Sequence, residues 1–420
     1  LRGYALVRPR GTVALLATNT IAQGETREVA LDRIVAAGAT IYRAWKSRPW
    51  PGDATLEVAQ VWLGRGEWSG GSVLDGGSVS TINTLLDAGS GSTWLPRKLG
   101  ETEARSFQGQ LINGIGFVLD PEEAQSLVSA NERNADVLFP YLSGEDLNTR
   151  PDQSPSRWVI NFFDWPYERA QQYPDCLEIV RQRVKPHRDT IKEYKSRVRD
   201  NWWLFEHNAP RLLDAIKGMN RVVAITRVSK TVAPVIVQTG IVFSDATVVF
   251  AYDDDGHFGL LSSCFHWWWA VTRASTMRTD LRYTPTDCFE TLPQPILTPQ
   301  VEKAGRDLDV HRRPMMIARN EGLTKVYNRV HDEKENAADV AELRRLHVEL
   351  DHAVAEAYGW SDLALDHGFL ETPQGVRFTV ASPARVELLD RLLELNHERY
   401  KAEVAAGLHD KKKPKTKKRS

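Results

Sequence analysis

Three tryptophans in a row, Trp267, Trp268 and Trp269, run directly into a segment that spaces Arg273, Arg278 and Arg282 among Ser275, Thr276 and Thr279. Successive residues of a helix point in widely different directions, so at least one indole must pack across an interface or meet a partner. Arginine, serine and threonine are the donors that hold phosphate oxygens and read base edges, and the mixture points to nucleic acid. The alternative keeps the tryptophans in a core and the arginines on a solvated face.

A second concentration of donors lies between Arg181 and Lys230, where 13 Lys and Arg stand against 5 Asp and Glu, an excess of 8. Lys192, Lys195, Arg197 and Arg199 fall on a helical stretch within it and suit phosphate neutralisation, a solvated helix face being the alternative. Arg227 and Lys230 at its end join Arg273, Arg278 and Arg282 as candidates for guanine contacts or phosphate clamps. No metal chemistry is indicated: His187, His207, His257 and His266 lack ligand spacing, and no HExxH occurs. Asp253, Asp254 and Asp255 with Gly256 read as a hairpin turn. Pro151-Asp152 has no following Glu-x-Lys or Asp-x-Lys, so no nuclease is read.

The blocks FPYLSGEDLN (139–148), SRWVINFFDW (156–165), RVSK (227–230), CFETLPQP (288–295) and GLTKVYNRVHD (322–332) follow one another along the chain. Together they resemble the C-terminal half of large class I DNA methyltransferases, the single-chain adenine-N6 type of restriction-modification and phage-defence systems. The resemblance spans residues 3 to 400. It implies an α/β plus α+β chain: the end of a doubly wound, Rossmann-like methyltransferase sheet, a mixed α+β target recognition domain and a helical C-terminal region. It also implies methyl transfer from S-adenosylmethionine to adenine N6 at a defined site in double-stranded DNA, with specificity residing in this chain.

Two motifs of that family are absent from the 420 residues, the Gly-rich turn after the first strand and the Asn/Asp-Pro-Pro-Tyr/Phe motif. The expectation is a fragment without catalytic residues, inactive alone, whose cofactor loop lies N-terminal to Leu1. The rival readings are a stand-alone specificity subunit paired with a separate catalytic or defence-system chain, and a non-catalytic remnant of a broken defence gene. What the resemblance leaves of the methyltransferase domain is the loop Trp45 to Ala54, bordering a flipped-base pocket. Trp45 and Trp50 are its stacking candidates, and Lys46 and Arg48 are available for flanking phosphates.

The elements that would position these residues can be read in order. TVALLAT (12–18) is apolar and β-branched, as in a buried parallel strand; 25–37 has helical spacing; Thr40 to Ala44 and Leu56 to Leu63 read as strands. These form a methyltransferase portion at 1–63, followed by a Gly/Ser-rich connector at 64–106 with little core. The target recognition domain is placed at 107–295, opening with a strand at 111–119 and a helix capped by Asp120, Pro121 and Glu123. A basic helical stretch at 165–200, interrupted near Pro186, precedes strands at 221–228, 234–238, 241–251 and 258–262. The region 296–408 reads as helical, with apolar periodicity over 338–358 and 384–404, and 409–420 as a basic disordered tail. Charge is balanced, at 54 basic against 55 acidic residues, and Cys176, Cys264 and Cys288 form no CxxC pair, which suits a reducing cytoplasm. No membrane span or leader is read.

Overall fold

The computed structural model describes residues 2–22, 24–52, 56–66, 68–88, 96–191, 196–277, 280–372 and 375–409. The chain begins with α1 (Arg2–Ala5), β1 (Thr12–Thr18), α2 (Gly24–Arg27), a π-turn at Glu28–Asp32, α3 (Arg33–Ala36), β2 (Ala39–Pro49), β3 (Glu57–Arg65), β4 (Ser72–Leu74) and β5 (Gly77–Val79). There follow β6 (Ser106–Gln108), β7 (Val118–Leu119), α4 (Pro121–Ala130), β8 (Leu138–Leu142), α5 (Gly144–Thr149) and β9 (Arg157–Ile160). Helices α6 (Tyr167–Ala170), α7 (Pro174–Arg183), α8 (Lys185–Asp189), α9 (Ser196–Asp200) and α10 (Pro210–Ala215) lead to β10 (Arg221–Thr226), β11 (Val228–Ser229), β12 (Val235–Gln238), β13 (Val242–Phe243) and β14 (Thr247–Phe250). The remainder comprises α11 (Asp255–Ser262), α12 (Cys264–Arg273), β15 (Ser275–Met277), β16 (Asp280–Arg282), α13 (Pro299–Arg319), α14 (Leu323–Val330), α15 (Ala338–Ala357), β17 (Gly368–Thr372), β18 (Gly375–Thr379) and α16 (Ser382–Ala405).

The chain divides into two units, the first made of Leu1–Glu101, Trp269–Pro293 and Asp390–Ser420 and the second of Thr102–Trp268 and Gln294–Leu389. The first carries a five-stranded sheet ordered β1-β3-β2-β4-β5. Strand β3 is antiparallel to both β1 and β2, so those two run parallel to each other, with the α2–α3 stretch as their crossover. Leu31, Ile34, Ile41, Val61 and Leu63 are buried in its core.

Three expectations change here. β1 is not a fully buried parallel strand: it lies at the sheet edge, antiparallel to β3, with Val13, Leu15 and Ala17 packed inward and Leu16 57 % exposed. β2 runs past Ala44 to Pro49, so the loop between the strands is shorter than read. The Gly/Ser-rich connector also gives the first sheet β4, β5 and the buried Ile82 and Leu86. Its Asp75-Gly76 pair takes positive φ at both residues, the two-residue turn that joins a tight hairpin.

In the second unit, β12-β10-β14-β6 form an antiparallel sheet and β13-β8-β9-β7 a mixed one. Helix α4 starts as read, with Pro121 in its first turn and the Glu123 carboxylate accepting the Asp120 N–H at 3.2 Å. The basic stretch is broken between α7 and α8 beside Pro186. Residues 258–262 are helix and not strand, because the Asp254 side chain accepts the His257 N–H at 2.7 Å and caps α11. The aspartate run is therefore a helix start and not a hairpin turn. The strand expected at 111–119 is reduced to β7, preceded by a 3-10 turn at Ile115–Phe117. The region after 296 adds the hairpin β17–β18 to its helices, and its tail from 410 lies outside the described residues. No helix among the described residues is long and apolar enough to cross a membrane.

Helices α11 and α13 meet at glycines. A Cβ at Gly305 would collide with the Asp255 carbonyl oxygen and stand 3.0 Å from the Gly259 Cα. Intrinsic helix propensity favours alanine over glycine by roughly 1 kcal/mol, whereas overpacking against backbone costs roughly 1–3 kcal/mol. Gly305→Ala is therefore expected to lower the urea midpoint; a raised midpoint would show that the contact relaxes freely.

Candidate nucleic-acid interface

The surface of α12 is apolar nearly all round, with Phe265, His266, Trp268, Trp269 and Ala270 all buried. The three indoles diverge as helical geometry requires. Trp268 donates its ring N–H to Thr379 Oγ1 at 3.1 Å and carries the Arg385 guanidinium 4.8 Å from its ring centre. Trp269 donates to Thr291 Oγ1 at 3.1 Å. Trp267 is half-buried and meets Trp268 edge-to-face. Buried indoles need such N–H partners, and two of the three have become core anchors.

The arginines after α12 fare differently from the DNA-facing row expected. Arg273 stacks on Trp269, 4.5 Å from its ring centre, and its buried Nε has no hydrogen-bond partner among the described residues. Burial, with Arg27 nearby, draws its pKa down to about 10, which still leaves it charged at neutral pH. It is a packing residue of the first unit and not an outward reader. Arg278 lies outside the described residues; Arg282 is half-buried on β16. Arg227 sits in the second unit, half-buried, with Nη1 3.5 Å from the Asp245 carbonyl, while Lys230 is exposed.

The positive excess of 181–230 is largely compensated locally. Arg181 pairs with Glu178 at 2.7 Å, Arg183 with Glu123 at 2.5 Å, Lys185 with Asp189 at 2.7 Å and Arg199 with Asp200 at 3.0 Å. Arg188 is wholly buried and donates to the Ile112 carbonyl at 2.9 Å. Lys192 and Lys195 lie outside the described residues, and Arg197 is exposed.

Arg197 opens onto a concavity of about 210 Å³ that also takes in Asn201, Glu206 and His207. A second of about 450 Å³ shares His207 and Pro210 with it and adds Phe107, Gln108 and Arg211. Arg211 is exposed and stands 6.0 Å from the Phe107 ring centre. Gln108 is held by donating to the Asp245 carbonyl at 3.0 Å. Arginine, glutamine, asparagine and aromatic groups along one surface form the donor set for phosphates and base edges. The sequence reading missed Gln108, Asn201, His207 and Arg211 because they come from separated segments and form no run.

At the other candidate place, Trp45, Lys46 and Arg48 lie on β2 and not in a loop. A bulge between Trp45 and Arg48 adds one residue, which puts both side chains on one face, and the Arg48 guanidinium stands 3.2 Å from the Trp45 ring centre. That ring face is already covered. Lys46 pairs with Asp87 at 2.5 Å, leaving Trp50, 38 % exposed, as the open aromatic. Trp68, equally exposed, stacks on Tyr42 with ring centres 4.0 Å apart.

The Gly-rich run near residues 64–77 ends β3 and builds the β4–β5 hairpin. It provides no strand-turn-helix cradle for a sulfonium cofactor, and no methyl-transfer step is assigned to these residues. No group of His, Cys, Asp and Glu able to hold a metal occurs among the described residues.

The second unit thus pairs one antiparallel and one mixed small sheet with a surface rich in side-chain donors. Residues 98–296 match the family described as the MmeI target recognition domain, which upholds the resemblance read from the sequence. Among solved structures, the Type IIL restriction-modification enzyme MmeI in complex with DNA is similar at a TM-score of 0.67 and 18% identity. That similarity covers 92% of this chain and 50% of the MmeI chain, so this chain spans about half the length of that structure. The type IIG restriction endonuclease BpuSI aligns at a TM-score of 0.29 and 12% identity over 86% of this chain and 49% of its own, too low to carry an argument. No curated protein matches.

Two predictions follow from α12. Trp268→Ala removes a buried large aromatic together with its bond to Thr379, and is expected to cost roughly 3–5 kcal/mol in chemical denaturation; a loss below roughly 1 kcal/mol would contradict the packing. The second concerns His266, whose Nδ1 contacts the Leu261 carbonyl at 2.6 Å and whose pKa burial lowers to about 4. His347 is lowered to about 4 and His331 to about 3, in each case chiefly by burial. An unfolded histidine titrates near roughly 6.5, so the unfolded chain takes up more protons than the folded one below that value. The stability contributed by these neutral rings is thus complete above about pH 6.5 and is lost as pH falls towards 4. Urea midpoints at pH 7, 6 and 5 should decline steadily, and a flat profile would contradict the buried neutral state.

Proposed function

We propose that this chain is the sequence-reading portion of a restriction-modification enzyme that methylates adenine N6 in double-stranded DNA with S-adenosylmethionine. The observation that carries the reading is the match of residues 98–296 to a target recognition domain. The paired concavities bearing Arg197, Asn201, Gln108 and Arg211 lie within that segment and are its DNA-facing surface in this proposal. Arg227, Lys230 and Arg282 remain candidate contacts. The parallel pair β1 and β2, joined by a helical crossover with antiparallel β3 between them, suits the closing strands of a doubly wound sheet. Partners of the catalytic half would pair with the open edge of β1. Cofactor binding and methyl transfer belong to that half, and the place of work is the cytoplasm. Trp50 remains the candidate for stacking on an extruded base.

Phosphate neutralisation releases counterions, so the logarithm of the binding constant falls with the logarithm of salt by roughly 0.9 per phosphate contact. Fluorescence anisotropy of the chain on a duplex, over a range of salt, should give a steep slope. Arg197→Ala with Arg211→Ala should weaken binding and flatten the slope by roughly 1–2 units. An unchanged slope in the double variant would remove this surface from the interface.

A further inference from the structure

Within the second unit, a cavity of about 70 Å³ is lined by residues that the DNA reading does not use, among them Ser262, Trp267, His331, His347, Asp351 and Arg377. The cavity has room for roughly five waters at 10–15 Å³ each. Arg377, on β18, is 7 % exposed, and among the described residues its one hydrogen bond runs from Nη2 to the Lys230 carbonyl at 3.1 Å. A guanidinium has several further N–H donors, and a buried cation needs compensation.

Among the described residues no free carboxylate supplies that compensation. Asp351 is the acid lining the cavity, and both its oxygens are engaged, Oδ1 by the Cys264 N–H at 2.7 Å and Oδ2 by His367 Nε2 at 2.8 Å. His331 and Ser262 add donor groups to the lining. His331 Nδ1 accepts the Phe378 N–H at 3.1 Å, so the neutral ring carries its proton on Nε2. The Tyr327 hydroxyl accepts from Arg312 Nη1 at 3.0 Å and lies 3.1 Å from His347 Nε2. Burial and the neighbouring Arg377 keep His331 neutral. The buried Ser262 Oγ has no partner among the described residues.

A buried guanidinium, an unpartnered hydroxyl and the His331 N–H around one small cavity are the complement of an oxyanion. We propose that this cavity binds a phosphate-sized oxyanion, held chiefly by Arg377 with Ser262 and His331. The volume suits free phosphate or sulfate, with the half-buried Trp267 in the lining.

The proposal is independent of the DNA reading and is tested without DNA. Calorimetric titration of the full chain with sodium phosphate, and separately with sodium sulfate, in low millimolar amounts at constant ionic strength set with sodium chloride, avoids general salting effects. Saturable one-to-one binding is expected for the wild type. Arg377→Met should weaken it by about tenfold or more, and Ser262→Ala by a smaller factor. Thermal melts report whether each variant folds; if Arg377→Met does not, the wild-type titration and Ser262→Ala decide the matter. Adenosine 5′-monophosphate should bind more weakly than phosphate. Absence of saturable heat from either anion in the wild type, unchanged affinity in folded Arg377→Met, or adenosine 5′-monophosphate binding as tightly as phosphate would each overturn the site.

Discussion

A helix apolar on nearly every side can bury its polar atoms only where each finds a partner, and α12 sets that requirement for much of the chain around it. An unpaired buried donor costs about 1–3 kcal/mol, enough to decide between neighbouring arrangements. The Cys264 N–H is taken by Asp351 of α15, the Trp268 N–H by Thr379 of β18 and the Trp269 N–H by Thr291 beyond a π-turn. His266 is fixed by the Leu261 carbonyl. Within the second unit α15 and β18 are therefore tied to Cys264 and Trp268, and within the first unit the 285–291 turn is tied to Trp269. That turn is itself held, since the Asn396 amide donates to the Thr291 carbonyl at 2.7 Å.

The same economy governs the arginines. Arg188, Arg312, Arg344 and Arg377 point inward and donate to backbone carbonyls, with Arg344 alone reaching those of Arg329, Val330, Asp332 and Glu335. A guanidinium spans several carbonyls at once and is less strongly hydrated than an ammonium, so it can staple irregular chain into a core. Counting arginines along a sequence accordingly overstates the charge available to a polyanion. What remains exposed, Arg197 and Arg211 among it, stands where separated segments meet.

The sequence made legible whatever depends on local chemistry. The capped start of α4, the break before Pro186, strands β10, β12 and β14, and helices α15 and α16 all follow from residues within a few positions of one another. The blocks that carried the family resemblance were also informative, although their role is architectural. Ser143 and Asp146 of FPYLSGEDLN form the cap of α5, Oγ donating to the carboxylate at 2.8 Å. Gly322 of GLTKVYNRVHD lets α14 approach the Thr149 backbone, where a Cβ would collide. Errors came where the backbone path decides: 258–262 reads as strand although Asp254 caps a helix there, and a bulge in β2 brings Arg48 onto the face of Trp45. The proposed DNA-facing surface was not legible either, since Gln108, Asn201 and Arg211 come from separated segments.

The central claim is that residues 98–296 read a DNA sequence. Selection of the purified chain on a pool of duplexes with a randomised centre, followed by sequencing of the bound fraction, tests it without requiring catalysis. The account predicts enrichment of one short motif, with mismatches within it costing roughly 1–3 kcal/mol each. Retention of duplex with no motif enriched over the input would contradict it and leave only non-specific attraction to the phosphate backbone.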